Sequence, residues 1–130
     1  MYHSFRDMQV WQVAMEIAEK VHTLTDSLPR KEDYGFTSQV RRSALSISAN
    51  IAEGFGRKHV PDKINFYLYS RGSLTETQSH IEYGHRVGYI KAEDAVFLDA
   101  QLSCLHHDLN KLISGITSRS STNTKGCSVS

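Results

Sequence analysis

The chain has 130 residues and a formal net charge of +1, with 39% hydrophobic and 22% charged residues. That is the length of one domain, with apolar content for one core, and no apolar run approaches the ~18–20 residues that would cross a bilayer. The N-terminal run MYHSFRDMQVWQ carries Arg6 and Asp7 and lacks the apolar stretch of a signal peptide, so a cytoplasmic location and no membrane partner are expected.

The first element is a helix. Val10, Ala14, Ile17, Val21, Leu24 and Leu28 step by three or four and line one face, and Pro29 stops it. A second helix is predicted from about Phe36 to Glu53, with Phe36, Val40, Ala44, Ile47 and Ile51 on its apolar stripe. Gly54 and Gly56 end it. The third opens at Pro61-Asp62, since proline suits the first helical position and an acid suits the first turn. Its apolar face is Ile64, Tyr67, Leu68, Leu74 and Ile81. Gly72 and Gly84 each cost roughly 1 kcal/mol relative to alanine inside a helix, which points to close packing or to a helix end near Gly84.

The fourth helix is the most regular. Ala95, Leu98, Leu102, Leu105, Leu109, Leu112 and Ile116 alternate steps of three and four, the seam of helices packed at a shallow angle. Glu93 and Asp94 stand where its positive N-terminal end favours acids. The expected fold is therefore all-α, an up-and-down antiparallel four-helix bundle over residues 1–116. The polar, aperiodic residues 117–130 read as a disordered C-terminal tail.

No sequence signature points to catalysis. G-x-S-x-G, a phosphate-binding P-loop and C-x-x-C are all absent, so no catalytic residue, cofactor or enzyme activity is expected. Gly54-Phe55-Gly56-Arg57 matches half of a glycine-rich loop but follows no strand and reads as a helix end. Cys104 and Cys127 are read as reduced thiols. Glu82-x-x-His85 has the spacing of a di-iron ligand pair, but the second copy such bundles need is missing. His106 and His107 are adjacent and point apart on a helix. No metal site is expected.

Two polar groups of residues stand out. Gln39, Arg42, Ser46, Asn50, Glu53 and Arg57 fall on one narrow face of the second helix. Such a face is either solvated or a hydrogen-bonding seam against another helix or subunit. Serine and asparagine are poor mid-helix residues, which favours a specific reason for the run SISANIAEG. The second group is basic. Residues 30–63 carry a net charge of +3, against −2 before them and 0 after. Arg57-Lys58-His59 and Lys63 cluster near Phe55, Phe66, Tyr67 and Tyr69. Cations there suit phosphates, and an exposed ring suits a base.

These segments also carry a family resemblance. Phe5-x-Asp7-x-x-Val10-Trp11-Gln12, Gln39-Val40-Arg41-Arg42-Ser43-Ala44, Ser46 to Gly54, Gly72-Ser73-Leu74-x-Glu76 and Gly88-Tyr89-Ile90 occur in this order. Together they resemble the four-helix-bundle proteins encoded in intervening sequences of bacterial 23S ribosomal RNA genes. That family includes the accessory variability protein of diversity-generating retroelements. Ser48 stands where the usual pattern has proline, which eases helix continuity. The resemblance implies a homopentamer without catalytic residues, and its retroelement relatives bind nucleic acid and a reverse transcriptase through a basic surface. The expected role is thus a non-catalytic oligomeric scaffold. Its subunit interface is expected at Gln39, Arg42, Ser46, Asn50 and Glu53, and weak binding to structured RNA or DNA at Arg41, Arg57, Lys58 and Lys63. The alternative is a protein-interaction module, with another protein as partner and no nucleic acid.

Overall fold

Four amphipathic helices with short connections have one economical arrangement, each packed antiparallel to the next. The computed structural model, which describes residues 2–124, has that arrangement. It consists of α1 (Gln9–Thr25), α2 (Phe36–Gly56), α3 (Val60–Arg86) and α4 (Ala92–Thr124), preceded by a 3₁₀ turn at Phe5–Asp7. Consecutive helices pack on one another, and α1 and α4 close the bundle. No strand occurs among the described residues. No helix is long and apolar enough to cross a membrane.

The apolar stripes read from the sequence meet along the axis. Ala14, Ile17 and Val21 from α1, Val40, Ala44, Ile47 and Ile51 from α2, and Tyr67, Leu74 and Ile81 from α3 are buried. Leu98, Leu102, Leu105 and Leu109 of the α4 seam join them, with Ile116 at its margin. Val10, Leu24, Leu28, Ile64, Ala95 and Leu112 flank this core partly buried.

Two helix ends, those of α1 and α4, differ from the sequence expectation, and α1 stops at Thr25, before Leu28 and Pro29. α3 passes through Gly84 to Arg86. The terminating glycine is Gly88, whose φ of 88° is the left-handed conformation a side chain would oppose. The Gly84 carbonyl then accepts the N–H groups of Tyr89 and Ile90 at 2.8 and 3.1 Å. Gly84 is buried against Phe36 and Ile90, which accounts for a glycine inside the helix. Gly72 is exposed with open space around it, and nothing in the structure explains it. The other differing end is that of α4, which continues beyond the expected boundary at 116 as far as Thr124. Residues 117–119 are exposed and add nothing to the core. The rest of the tail, 125–130 with Cys127, lies outside the described residues.

One clasp joins the two loops at the α1–α2 end. Tyr89 donates its hydroxyl to Glu32 Oε2 at 2.7 Å, while Glu32 Oε1 accepts the Phe36 N–H at 3.2 Å and so caps α2. The Tyr89 hydrogen bond, with the Phe36 N–H, holds the Glu32 carboxyl below its ordinary pKa. The same bond holds the Tyr89 phenol above its own. A lowered carboxylate contributes stability that is present above its unfolded pKa and is lost as pH falls through the folded value. Tyr89→Phe should therefore lower the Tm at pH 7 by about 2–5 °C. The gap to the parent should close as pH drops below the carboxylate range. A gap that stays constant in thermal melts from pH 7 to pH 3 would show that the clasp carries none of this linkage.

Candidate subunit and nucleic-acid interface

The packing of α2 on α3 is polar to an unusual degree. Ser43, Ser70 and Thr77 are buried, and small hydroxyl side chains let the two helices approach closely. Thr77 Oγ1 lies 2.9 Å from Ser43 Oγ and 2.8 Å from the Ser73 carbonyl, while Ser43 Oγ lies 3.2 Å from the Val40 carbonyl. Each hydroxyl has one proton, so two protons serve three contacts. Ser46 and Ser73 share a hydrogen bond of 2.9 Å, and Ser70 donates to the Ile47 carbonyl at 2.8 Å. Asn50 Nδ2 donates to both the carbonyl and the hydroxyl of Ser46, at 2.9 and 3.0 Å. The pairs ascend α2 as they descend α3, which fixes the antiparallel register. Further along, Gly54 lies against the buried Tyr67 ring.

This ladder explains the serines and asparagine of SISANIAEG. Ser46 and Asn50, expected at a subunit interface, are half-buried and hydrogen-bonded within the chain. Gln39, Arg42 and Glu53 are exposed, as an interface between copies requires. Gln39, Arg42, Ser43, Ser46, Ser73 and Glu76 line an open groove of about 290 Å³ over the ladder. The α2 motif and the Gly72-Ser73-Leu74-x-Glu76 motif, separate in sequence, thus form one surface. Ser73 and Glu76 were missing from the expected interface because a stripe on one helix does not reveal what the neighbouring helix sets beside it. Among the described residues, the Gln39 amide and the Arg42 guanidinium make no hydrogen bond or ion pair, whereas Glu76 meets His80 at 3.3 Å.

The four expected nucleic-acid contacts do not form one surface. Arg41 sits near the start of α2, where its Nε donates to Thr25 Oγ1 at 2.7 Å and its Nη2 to the His22 carbonyl at 3.2 Å. It serves the C-terminal end of α1, where a cation is favoured. Sixteen positions of helix, about 24 Å at 1.5 Å per residue, separate it from Arg57. Lys63 is close to Arg57 but is engaged: its Nζ donates to the carbonyls of Gly54 and Phe55 at 2.7 and 3.0 Å, capping α2. Burial there pulls the ammonium pKa below the ordinary lysine value. Periodicity places residues around a helix but cannot tell which cations cap a neighbour.

Arg57 and Lys58 remain exposed at the turn between α2 and α3. Arg57 pairs with Glu53 at 3.0 Å, and its guanidinium lies 4.7 Å from the centroid of the Phe66 ring. The aromatics near this cluster separate by environment. Tyr67 is buried, which pushes its hydroxyl pKa up to about 12. Phe55 and Phe66 are half-buried, and Tyr69 is exposed. Glu82 and His85 are exposed on α3, and Glu82 pairs with Arg86 at 2.7 Å. Among the described residues, no group of three histidine, cysteine or acidic side chains converges as a metal site would require.

Comparison with known proteins agrees with this architecture. No curated protein matches the sequence. A crystal structure of a protein of unknown function from the S23 ribosomal protein family of Bacteroides thetaiotaomicron VPI-5482 is 24% identical. It aligns with a TM-score of 0.74 over 80% of this chain and 97% of that one, a likeness of fold. The family model described as 23S rRNA-intervening sequence protein matches residues 6–111, from the 3₁₀ turn through most of the α4 seam. With the fold and the motif segments in agreement, the chain belongs to the 23S rRNA-intervening sequence protein family.

Proposed function

We propose that the protein is a non-catalytic, cytoplasmic, homo-oligomeric scaffold, homopentameric as the family resemblance implies. It assembles through the polar α2–α3 face and presents Arg57 and Lys58 to structured RNA or other nucleic acid. The groove is the observation that carries this reading. Arg42 offers five donors and, with Gln39, has no partner among the described residues. Leu45 and Tyr83, about half exposed on the same two helices, add apolar and aromatic area of the kind that interfaces favour. A cyclic assembly repeats Arg57 and Lys58 once per subunit, and multiplied weak sites raise avidity without a new type of contact.

Light scattering at micromolar concentration tests the assembly, with five chains per particle expected and a clean monomer refuting it. Arg42→Ala should raise the subunit dissociation constant about tenfold while helix content stays unchanged. Nucleic-acid binding should weaken steeply with salt, and Arg57→Ala with Lys58→Ala should reduce it. The engagement of Arg41 and Lys63 within the chain supports the second reading, a protein-interaction module. Fluorescence anisotropy decides between the two. An absence of binding at ~50 mM salt, where phosphate contacts are strong, would favour the protein module.

A further inference from the structure

The turn between α2 and α3 leads directly into an exposed aromatic surface. Phe66 lies between Arg57 and Tyr69: the guanidinium is 4.7 Å from its ring centroid, and the Tyr69 ring meets it edge-to-face at 5.6 Å. Glu53 also pairs with Arg57, at 3.0 Å. Tyr69 is therefore braced by Phe66 while the residue itself is 57% exposed, and its hydroxyl makes no hydrogen bond among the described residues. Asn65, one helical turn before Tyr69, is exposed on the same face of α3. Lys58 and His59 are exposed in the turn itself.

These residues supply three distinct functions. Lys58 and Arg57 are cations for phosphates. Tyr69 is a fixed aromatic surface of the kind on which a base stacks. Asn65 carries a donor and an acceptor that can meet a base edge. A duplex would use the cations and could offer base edges in its grooves, but its bases are already stacked on one another and leave the Tyr69 ring without a partner. From this combination we infer that Tyr69, supported by Phe66 and Arg57, is a base-stacking platform that binds single-stranded nucleic acid in preference to duplex. The inference rests on the nucleic-acid reading above and specifies its ligand. Asp62, exposed in the first turn of α3, sets a limit on the local positive potential, so stacking rather than charge has to supply the preference.

The experiment is fluorescence anisotropy of the full-length protein with a labelled oligouridylate, which has no stable secondary structure, and with a labelled duplex hairpin at two salt concentrations. Tyr69→Ala should weaken oligouridylate binding about tenfold and leave hairpin binding within about twofold, without changing the salt slope, because no phosphate contact is removed. Tyr69→Phe should retain binding, since the ring and not the hydroxyl is used. Equal losses on both ligands, or oligouridylate binding by Tyr69→Ala close to that of the parent, would overturn the platform while leaving the nucleic-acid reading in place. Light scattering of Tyr69→Ala should show an assembly of unchanged size; a smaller one would make Tyr69 a subunit contact and overturn the inference. Binding of neither ligand by the unmodified protein would retire the nucleic-acid reading itself.

Discussion

Leu105→Ala should destabilise the protein by about 2–5 kcal/mol, more than any change outside the core. Leu105 lies in the middle of the α4 seam and is 1% exposed, between Leu102 and Leu109, which are fully buried. Truncation to alanine removes the transfer energy of the lost carbons and leaves a cavity that four packed helices can fill only in part. Leu112, on the same seam but half-buried, should cost roughly half as much on the same substitution, because nearby water already limits what its burial contributes. Urea unfolding at fixed protein concentration measures both, and the concentration matters because assembly would add to apparent stability. A Leu105→Ala variant within ~1 kcal/mol of the parent would mean that α4 packs less tightly than its burial indicates.

Leu105 also shows what a sequence makes legible. Burial follows from periodicity, because a residue every three or four positions must return to one face, and α4 keeps that period for seven apolar residues. The stripes of α1, α2 and α3 were readable for the same reason. The α2–α3 ladder was only half readable. The run of serine and asparagine signalled that something met α2, but Ser73 and Thr77 belong to another helix, and pairing across helices has no local signature. The basic residues were legible as a composition and misleading as a surface. Arg41 and Lys63 cap helix ends some distance apart, and their partners, backbone carbonyls and a threonine, leave no trace in a charge count. The end of α3 near Gly84 was legible, but not which glycine makes the turn, because Gly84 and Gly88 are alike in sequence and only Gly88 takes a positive φ among the described residues.

The spacing of α2 from α3 sets the geometry of the proposed interface, and Gly54 controls it. A Cβ at Gly54 would stand 2.6 Å from Tyr67 Cε1 and 2.9 Å from Cδ1. The ring cannot retreat readily, since Tyr67 is 2% exposed and held on the core side. Two effects therefore oppose each other in Gly54→Ala. Helix propensity favours alanine by about 1 kcal/mol. Overpacking against a confined ring costs typically 1–3 kcal/mol. The clash should win, giving a net loss of up to about 2 kcal/mol in urea unfolding. Gly54→Val places two γ-methyl groups on a branched Cβ, and should lose about 3 kcal/mol or more. In a Tyr67→Ala background the obstacle is gone, so Gly54→Ala should change sign and stabilise by up to ~1 kcal/mol, a coupling that a double-mutant cycle isolates. The same series bears on assembly. If Gly54→Val pushes the helices apart, the Ser46–Ser73 bond of 2.9 Å opens and the groove that holds Arg42 and Glu76 widens. Light scattering should then show loss of the oligomer under conditions where circular dichroism still reports a folded helical chain. A Gly54→Ala variant more stable than the parent would show that Tyr67 yields at little cost and that α2–α3 spacing is not held by this contact.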